Sequence, residues 1–171
     1  YDPQTGSFSH YEHDSSNPAS LSSNSVNALY QDAQGRLWVG TDDGLDLLDP
    51  LTRAITHITI DLGDGSSLGR VTIRSIFAAS GGDLWFGTAD NGLLRYQTTR
   101  LTFKRYGTEG LNRNRLCSSS INAIAETSDG DLWLATSNGR ARLNPVSEVA
   151  TCFRSNPADS NTLLSNSVET L

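Results

Sequence analysis

The sequence predicts an all-β fold: a β-propeller fragment of four-stranded antiparallel blades of about 47 residues, three complete and a fourth in parts. A motif of Leu, Trp, an apolar residue, Gly or Ala, and Thr recurs 47 and then 48 positions on, with its tryptophans at Trp38, Trp85 and Trp133. A second apolar landmark keeps the same step at Val26, Ile73, Ile121 and Val168. Self-similarity at this period is typical of propeller blades.

Within one repeat, short apolar runs alternate with turn residues, as four strands of a blade require. The first complete repeat predicts strands at 26–30, 37–41, 45–48 and 55–58. The segments between them contain Gly, Asp, Asn or Pro, which favour tight turns because they accept or preset the necessary backbone angles. We therefore expect consecutive strands to pair as hairpins.

The repeat boundaries divide the chain into five segments. We predict end strands of an incomplete blade at 1–12, complete blades at 13–60, 61–108 and 109–155, and the first strand of a further blade at 156–171. Because propellers close with about 4–8 blades, we expect this to be part of a longer protein. Either the remaining blades of the same propeller or other copies of this chain would complete the ring.

Composition argues against two classes of partner. The chain has 13 Lys and Arg against 19 Asp and Glu, a formal net charge of −6, and Lys104 is its only lysine. A nucleic-acid partner is not expected, because binding to phosphates needs clustered positive charge. No stretch reaches the roughly 20 apolar residues of a membrane-spanning helix, so we expect membrane attachment only through segments outside this chain.

The repeat motifs resemble a known family. Asn24-Ser25-Val26, then residues 32–41 (DAQGRLWVGT), then Leu48-Asp49-Pro50 are similar to the two-component regulator propeller repeat, and the similarity covers essentially the whole chain. Ala135 replaces the motif glycine in the third complete repeat, and Thr98 replaces a proline in the second. These departures affect individual positions and leave the assignment unchanged.

The resemblance implies a function in signal reception. In that family, such repeats form the sensor region of bacterial membrane-bound signalling proteins, here expected in the periplasm, with a kinase or cyclic-dinucleotide enzyme as output outside this segment. The ligand would be a small molecule, oligosaccharides being one class. Fold-level resemblance does not fix function, so two alternatives stay open: a protein-interaction scaffold, and an enzyme that uses channel residues from other blades.

Candidate ligand-binding residues follow from the propeller geometry. The loop leading to each inner strand and the turn between the second and third strands emerge on one face, around the central channel, where functional residues concentrate on a rigid scaffold. At the position after the apolar landmark, the residue varies between repeats while its neighbours do not. The candidate residues are Asn24, Asn27, Asp42, Asp43, Arg70, Arg74, Asp90, Asn91, Arg113, Arg115, Asn122 and Asn138.

No catalytic residue, metal ligand or cofactor is predicted for this segment. His10, His57, Arg105 and Cys152 occupy equivalent positions of the outer strands, which indicates a place at the rim rather than a metal site. Acidic turns such as Asp42-Asp43 fit the preference of hairpin turns for Asp. Cys117 and Cys152 would form a disulfide or stay as two buried thiols, and the sequence leaves both open.

Overall fold

The computed structural model describes residues 5–109 and 115–171, and its strands match the predicted all-β propeller fold. Blade 1 consists of β1 (Val26–Gln31), β2 (Leu37–Thr41), β3 (Gly44–Leu48) and β4 (Ile55–His57). A short hairpin follows, formed by β5 (Ile60–Asp61) and β6 (Ser67–Leu68). Blade 2 consists of β7 (Ile73–Ala78), β8 (Leu84–Thr88), β9 (Leu93–Gln97) and β10 (Thr102–Tyr106), and blade 3 of β11 (Ile121–Glu126), β12 (Leu132–Thr136), β13 (Gly139–Leu143) and β14 (Ala150–Phe153).

Each blade is a four-stranded antiparallel sheet in which strands pair in chain order. The buried threonine of the repeated motif ends the second strand and closes the turn to the third. Its hydroxyl donates to a glycine carbonyl at 3.1, 2.7 and 2.6 Å in blades 1, 2 and 3, in the pairs Thr41–Gly44, Thr88–Gly92 and Thr136–Gly139. The predicted hairpins are therefore present. In the part of the chain that the structure describes, no helix could span a membrane.

The two ends of the chain differ from the predicted strands. Residues 5–12 and 154–171 contain no β-strand, although end strands and a first strand were expected there. A strand needs a paired neighbour, and no second strand of that blade lies among the described residues. Val168 nonetheless contacts blade 3, because its amide donates to the Thr136 carbonyl at 3.0 Å. The assignment of both ends to further blades stays a prediction.

Apolar side chains bury one blade against the next. Trp38 of blade 1 packs on blade 2, with ring centroids 5.8 Å from Phe86 and 5.4 Å from Tyr96. Trp85 of blade 2 is 1% exposed and shares a core cluster with Leu134 of blade 3. A tryptophan buries on the order of 150–250 Å², about 4–6 kcal/mol at most. Stacking therefore supplies the core that a single sheet lacks.

The motif glycine permits this stacking because the next inner strand passes very close to it. A Cβ on Gly40 would lie 2.6 Å from Ile73 Cγ2, and one on Gly87 would lie 2.7 Å from the Ile121 carbonyl oxygen. Backbone cannot move aside as the end of a flexible side chain can. Glycine at this position is thus required by the packing of blade 2 on blade 3.

Gly87→Ala is expected to lower the free energy of unfolding by about 1–3 kcal/mol, the usual cost of overpacking, because the added methyl group presses on the Ile121 backbone. Urea denaturation with tryptophan fluorescence measures the change. Gly81→Ala is the matched control, since a Cβ there meets nothing within 4 Å, and a change of less than about 1 kcal/mol is expected. Equal effects of the two substitutions would contradict the packing role.

Candidate functional site

A β-bulge places one side chain of each inner strand toward the channel. In β1 the pairing with β2 skips a residue between Val26 and Ala28, and β7 and β11 show the same irregularity. The skipped residues are Asn27, Arg74 and Asn122, all predicted as candidates. A bulge re-aims the side chain of its extra residue, which is why these positions vary while their neighbours repeat.

Two of the three bulge residues connect successive blades by hydrogen bonds, and the third bonds to the C-terminal segment. Asn27 Nδ2 donates to the Ile73 carbonyl at 3.1 Å, and Asn122 Nδ2 donates to the Val168 carbonyl at 2.9 Å. Between them, Arg74 donates to Asn122 Oδ1 and to the Ser120 hydroxyl, both at 2.7 Å. These residues therefore have a structural role as well as a position on the channel.

Around them lies a polar cavity of about 790 Å³. Four of the predicted residues line this cavity, with at least one from each blade: Asn27, Asp42, Arg74 and Asn122. The lining is completed by Val26, Thr72, Ser137 and Glu169. Thr72 and Ser137 lie next to strands at the predicted channel face, and Glu169 is the repeat equivalent of Asn27, so the repeat spacing indicates these three positions as well.

The other predicted residues lie outside this cavity. Arg70 pairs with Asp43 at 3.1 Å, and both line a second cavity of about 270 Å³ together with His13 and His57. The remaining described ones hold loops together: the Asn24 side-chain oxygen accepts from the His13 amide, Asn91 donates to Asp90, Arg115 to the Thr108 carbonyl and Asn138 to the Cys117 carbonyl. Arg113 lies outside the described residues.

A disulfide joins Cys117 and Cys152, with their Cα atoms 5.6 Å apart. This resolves the alternative that the sequence left open. The bond connects the loop that leads to β11 with the outer strand β14. Ser120 lies on the same loop and accepts from Arg74, so the disulfide anchors a segment that contacts Arg74.

Blade 1 has a serine, a histidine and an aspartate in mutual contact. His57 Nδ1 lies 2.7 Å from Asp46 Oδ1 and 3.0 Å from the Ser22 hydroxyl, which itself donates to Asp46. A nucleophilic serine needs the nitrogen that is not bonded to the carboxylate. Here that nitrogen, Nε2, faces the Pro18 carbonyl oxygen at 2.8 Å, so the arrangement is not that of a catalytic triad.

The pKa of His57 is raised above its ordinary value. The hydrogen bond to Asp46 is the largest cause; partial burial opposes it, and the contact with the Pro18 carbonyl adds to it. Asp46 is fully buried and also accepts from the Ser22 amide at 2.8 Å. Sequence reasoning placed His57 at the rim and missed this network, because Asp46 sits within an apolar strand and gave no separate signal.

Comparison with known families identifies the repeats. Residues 20–43 and 115–138 match the family described as two component regulator propeller. Both stretches are similar to the two-component regulator propeller repeat. They cover the loop leading to the inner strand, the inner strand and the second strand in blades 1 and 3, so the resemblance seen in the sequence is confirmed. A comparison with curated proteins gives no sequence match.

Solved structures of similar fold come from several classes of propeller-containing protein. The extracellular domain of a protein described as a hybrid two-component system of B. thetaiotaomicron superposes with a TM-score of 0.72 at 20% identity, over 91% of this chain and 20% of that domain. Virginiamycin B lyase of Staphylococcus aureus superposes with a TM-score of 0.55 at 16% identity, over 77% of this chain and 41% of the lyase chain. A surface component of the type-IX secretion system of Porphyromonas gingivalis superposes with a TM-score of 0.54 at 18% identity, over 67% of this chain and 17% of that component.

These similarities concern the fold. The chain of propeller repeats spans about a fifth of the length of the B. thetaiotaomicron domain. Identities of 16–20% leave activity and ligand unassigned, since one fold serves many functions.

Reduction of the disulfide is expected to lower the free energy of unfolding by about 3–4 kcal/mol, because cross-linked positions 35 residues apart constrain the unfolded chain. Urea denaturation with and without a thiol reductant measures this difference. The double variant Cys117→Ser/Cys152→Ser is the control and should not respond to reductant. Free thiols titrated in the unreduced, denatured parent protein would contradict the bond.

Proposed function

We propose that this chain is a ligand-sensing segment of the extracytoplasmic β-propeller of a bacterial two-component or related signalling receptor. The segment receives the signal and does not catalyse a reaction, and its output domain lies elsewhere in the receptor. The family of the repeats and the fold similarity to an extracellular domain of a hybrid two-component system support this proposal. In a bacterium with two membranes, the compartment would be the periplasm.

The observation that carries the proposal is the convergence of polar side chains from three blades on one cavity. Its volume of about 790 Å³ lies in the range of small-molecule sites. Amide, hydroxyl, carboxylate and guanidinium groups are all present, supplied by Asn27, Thr72, Asp42 and Arg74. Such mixed donors and acceptors suit a hydroxyl-rich molecule, and an oligosaccharide is the class we favour.

The bulge residues offer a route from ligand to structure. Arg74 spans blades 2 and 3 through its bonds to Ser120 and Asn122. A ligand that competes for these groups changes the contact between two blades as well as filling the cavity. Binding then shifts the relative stability of two arrangements of the propeller, which is the thermodynamic requirement for a sensor.

A second candidate function is a scaffold that binds other proteins. It is favoured by the exposed apolar side chains at the surface of blade 1, Leu29 at 62% and Val26 at 43% exposure. Such side chains need a partner surface, supplied either by a further blade of the same protein or, as a scaffold would use them, by another copy of this chain. Sedimentation analysis of the chain separates the two, since only contact between copies gives concentration-dependent association.

A thermal-shift screen of the propeller that contains this chain, against glycans, organic acids and amino acids, tests the proposed function. A ligand present at a hundredfold its Kd stabilises the folded state by about 2.7 kcal/mol, enough to raise Tm by several degrees. Arg74→Ala should abolish the shift, because it removes the cationic donor of the cavity.

Arg105→Ala is the matched control. Arg105 is an outer-strand arginine paired with Glu109 at 3.4 Å, away from the channel cavity, and its removal should leave the ligand shift intact. Calorimetric titration of the Asn27→Ala variant with a compound found in the screen measures binding directly, so it distinguishes a loss of affinity from a loss of fold stability. A screen in which no compound raises Tm would favour the scaffold instead, and equal loss in both arginine variants would argue against a channel site.

A further inference from the structure

The loop that approaches each blade meets the outer strand of that blade at one pair of equivalent positions. Repeat spacing aligns Ser22 and His57 of blade 1 with Cys117 and Cys152 of blade 3. Strand register agrees, because His57 pairs with Asp46 as Cys152 pairs with Ala141. In blade 3 the pair is a covalent bond. In blade 1 the same place holds the Ser22–Asp46–His57 network.

His57 fastens the approach loop by bonding at both ring nitrogens. Nδ1 faces the Asp46 carboxylate at 2.7 Å, and Nε2 faces the Pro18 carbonyl oxygen at 2.8 Å. An ionised Asp46 carboxylate and a backbone carbonyl both accept hydrogen bonds and do not donate. With Asp46 ionised, bonds at both nitrogens need a proton on each, so we assign this geometry to the imidazolium form of His57.

Loss of one proton removes one of these two bonds. Asp46 is fully buried and would keep only its two neutral donors from Ser22, and a buried carboxylate that loses its charged donor is costly. The neutral ring therefore keeps its proton on Nδ1, and Nε2 becomes an acceptor that faces another acceptor. The contact with Pro18 becomes repulsive, and the loop around Pro18 loses its connection to β4.

We propose that residues 13–22 form a strap that protonated His57 fastens to blade 1 and that deprotonation releases at Pro18. The strap lines a cavity of about 270 Å³ together with Asp43, His57 and Arg70. Release displaces the part of this lining that Pro18 forms. The inference concerns the strap itself and holds whether or not the channel cavity binds a ligand.

Charged and titratable groups reach this region from every adjoining segment. Asp46 comes from β3, His13 and Asp14 from the strap, Asp43 from the turn between β2 and β3, and Arg70 from the segment before β7. The Ser16 hydroxyl holds the pKa of Asp14 below its ordinary value, so Asp14 stays ionised near neutral pH. His13 Nδ1 lies 2.6 Å from the Leu21 carbonyl oxygen, and this second imidazole needs its own control.

The direction of the pH dependence follows from linkage. A histidine whose folded pKa is raised stabilises the fastened strap fully below the unfolded value of 6.5, and that contribution disappears as pH rises through the folded value. Near Pro18, the Asn17 amide donates to the Asp14 carbonyl at 2.9 Å and the Ser20 amide to the Asn17 carbonyl at 3.0 Å. These amides report the state of the strap.

The test combines an NMR titration of the His57 ring with hydrogen exchange of the strap amides, corrected for intrinsic exchange rates, from pH 5.5 to 8.5. We expect His57 to titrate above 6.5 and protection at Asn17 and Ser20 to be lost across that transition. The Gly35 amide, in a turn of the same blade, should show no such step. A His57 pKa at or below 6.5, or protection that does not change with pH, would overturn the proposal.

Two variants make the assignment specific. His57→Gln should remove the pH step, whereas His13→Gln should retain it. The triple variant Ser22→Cys/Asp46→Ala/His57→Cys transfers the chemistry of blade 3, which has Ala141 opposite Cys152, and should hold the strap at all these pH values until a reductant is added. A pH step that survives His57→Gln, or that the closed disulfide variant retains, would assign the effect to another group.

Discussion

Burial of one sheet face on the next is the constraint on which this structure depends. A four-stranded blade has two faces and cannot bury either alone. Trp38 and Trp85 pack into the interfaces between blades. The glycine on the second strand of one blade lets the inner strand of the next blade come into van der Waals contact with it. Packing thus fixes the residues that repeat, and it leaves the positions around the channel free to vary.

The bulge in each inner strand directs one of these variable side chains toward the candidate site. Because pairing skips Asn27, Arg74 and Asn122, their side chains leave the face that stacks and point to a neighbouring blade. Each then bonds across an interface about one repeat away, as Asn27 does with the Ile73 carbonyl. The residues that line the cavity are consequently coupled to the contacts between blades, as Arg74 shows by bonding to Ser120 and Asn122.

The period of the sequence was enough to predict the strands, because alternation and turn residues are local properties. It also located the bulge residues, since variation among repeated neighbours marks them. The bulge itself, the β5–β6 hairpin and the Cys117–Cys152 bond could not be predicted in the same way. The approach loop crosses the outer strand of its own blade, and no local pattern encodes such a crossing.

That crossing explains why three blades have three chemistries at equivalent positions. The loop must be fastened where it passes the outer strand, but backbone repetition does not specify how. Blade 3 uses a covalent bond and blade 1 an ionic network around the buried Asp46. Blade 2 has Gly69 and Arg105 there, and Arg105 pairs instead with Glu109 of the following loop. If the proposed His57 strap holds, the attachment of these loops responds to protons in blade 1 and to reductant in blade 3, so that a shared fold does not imply shared mobility of its loops.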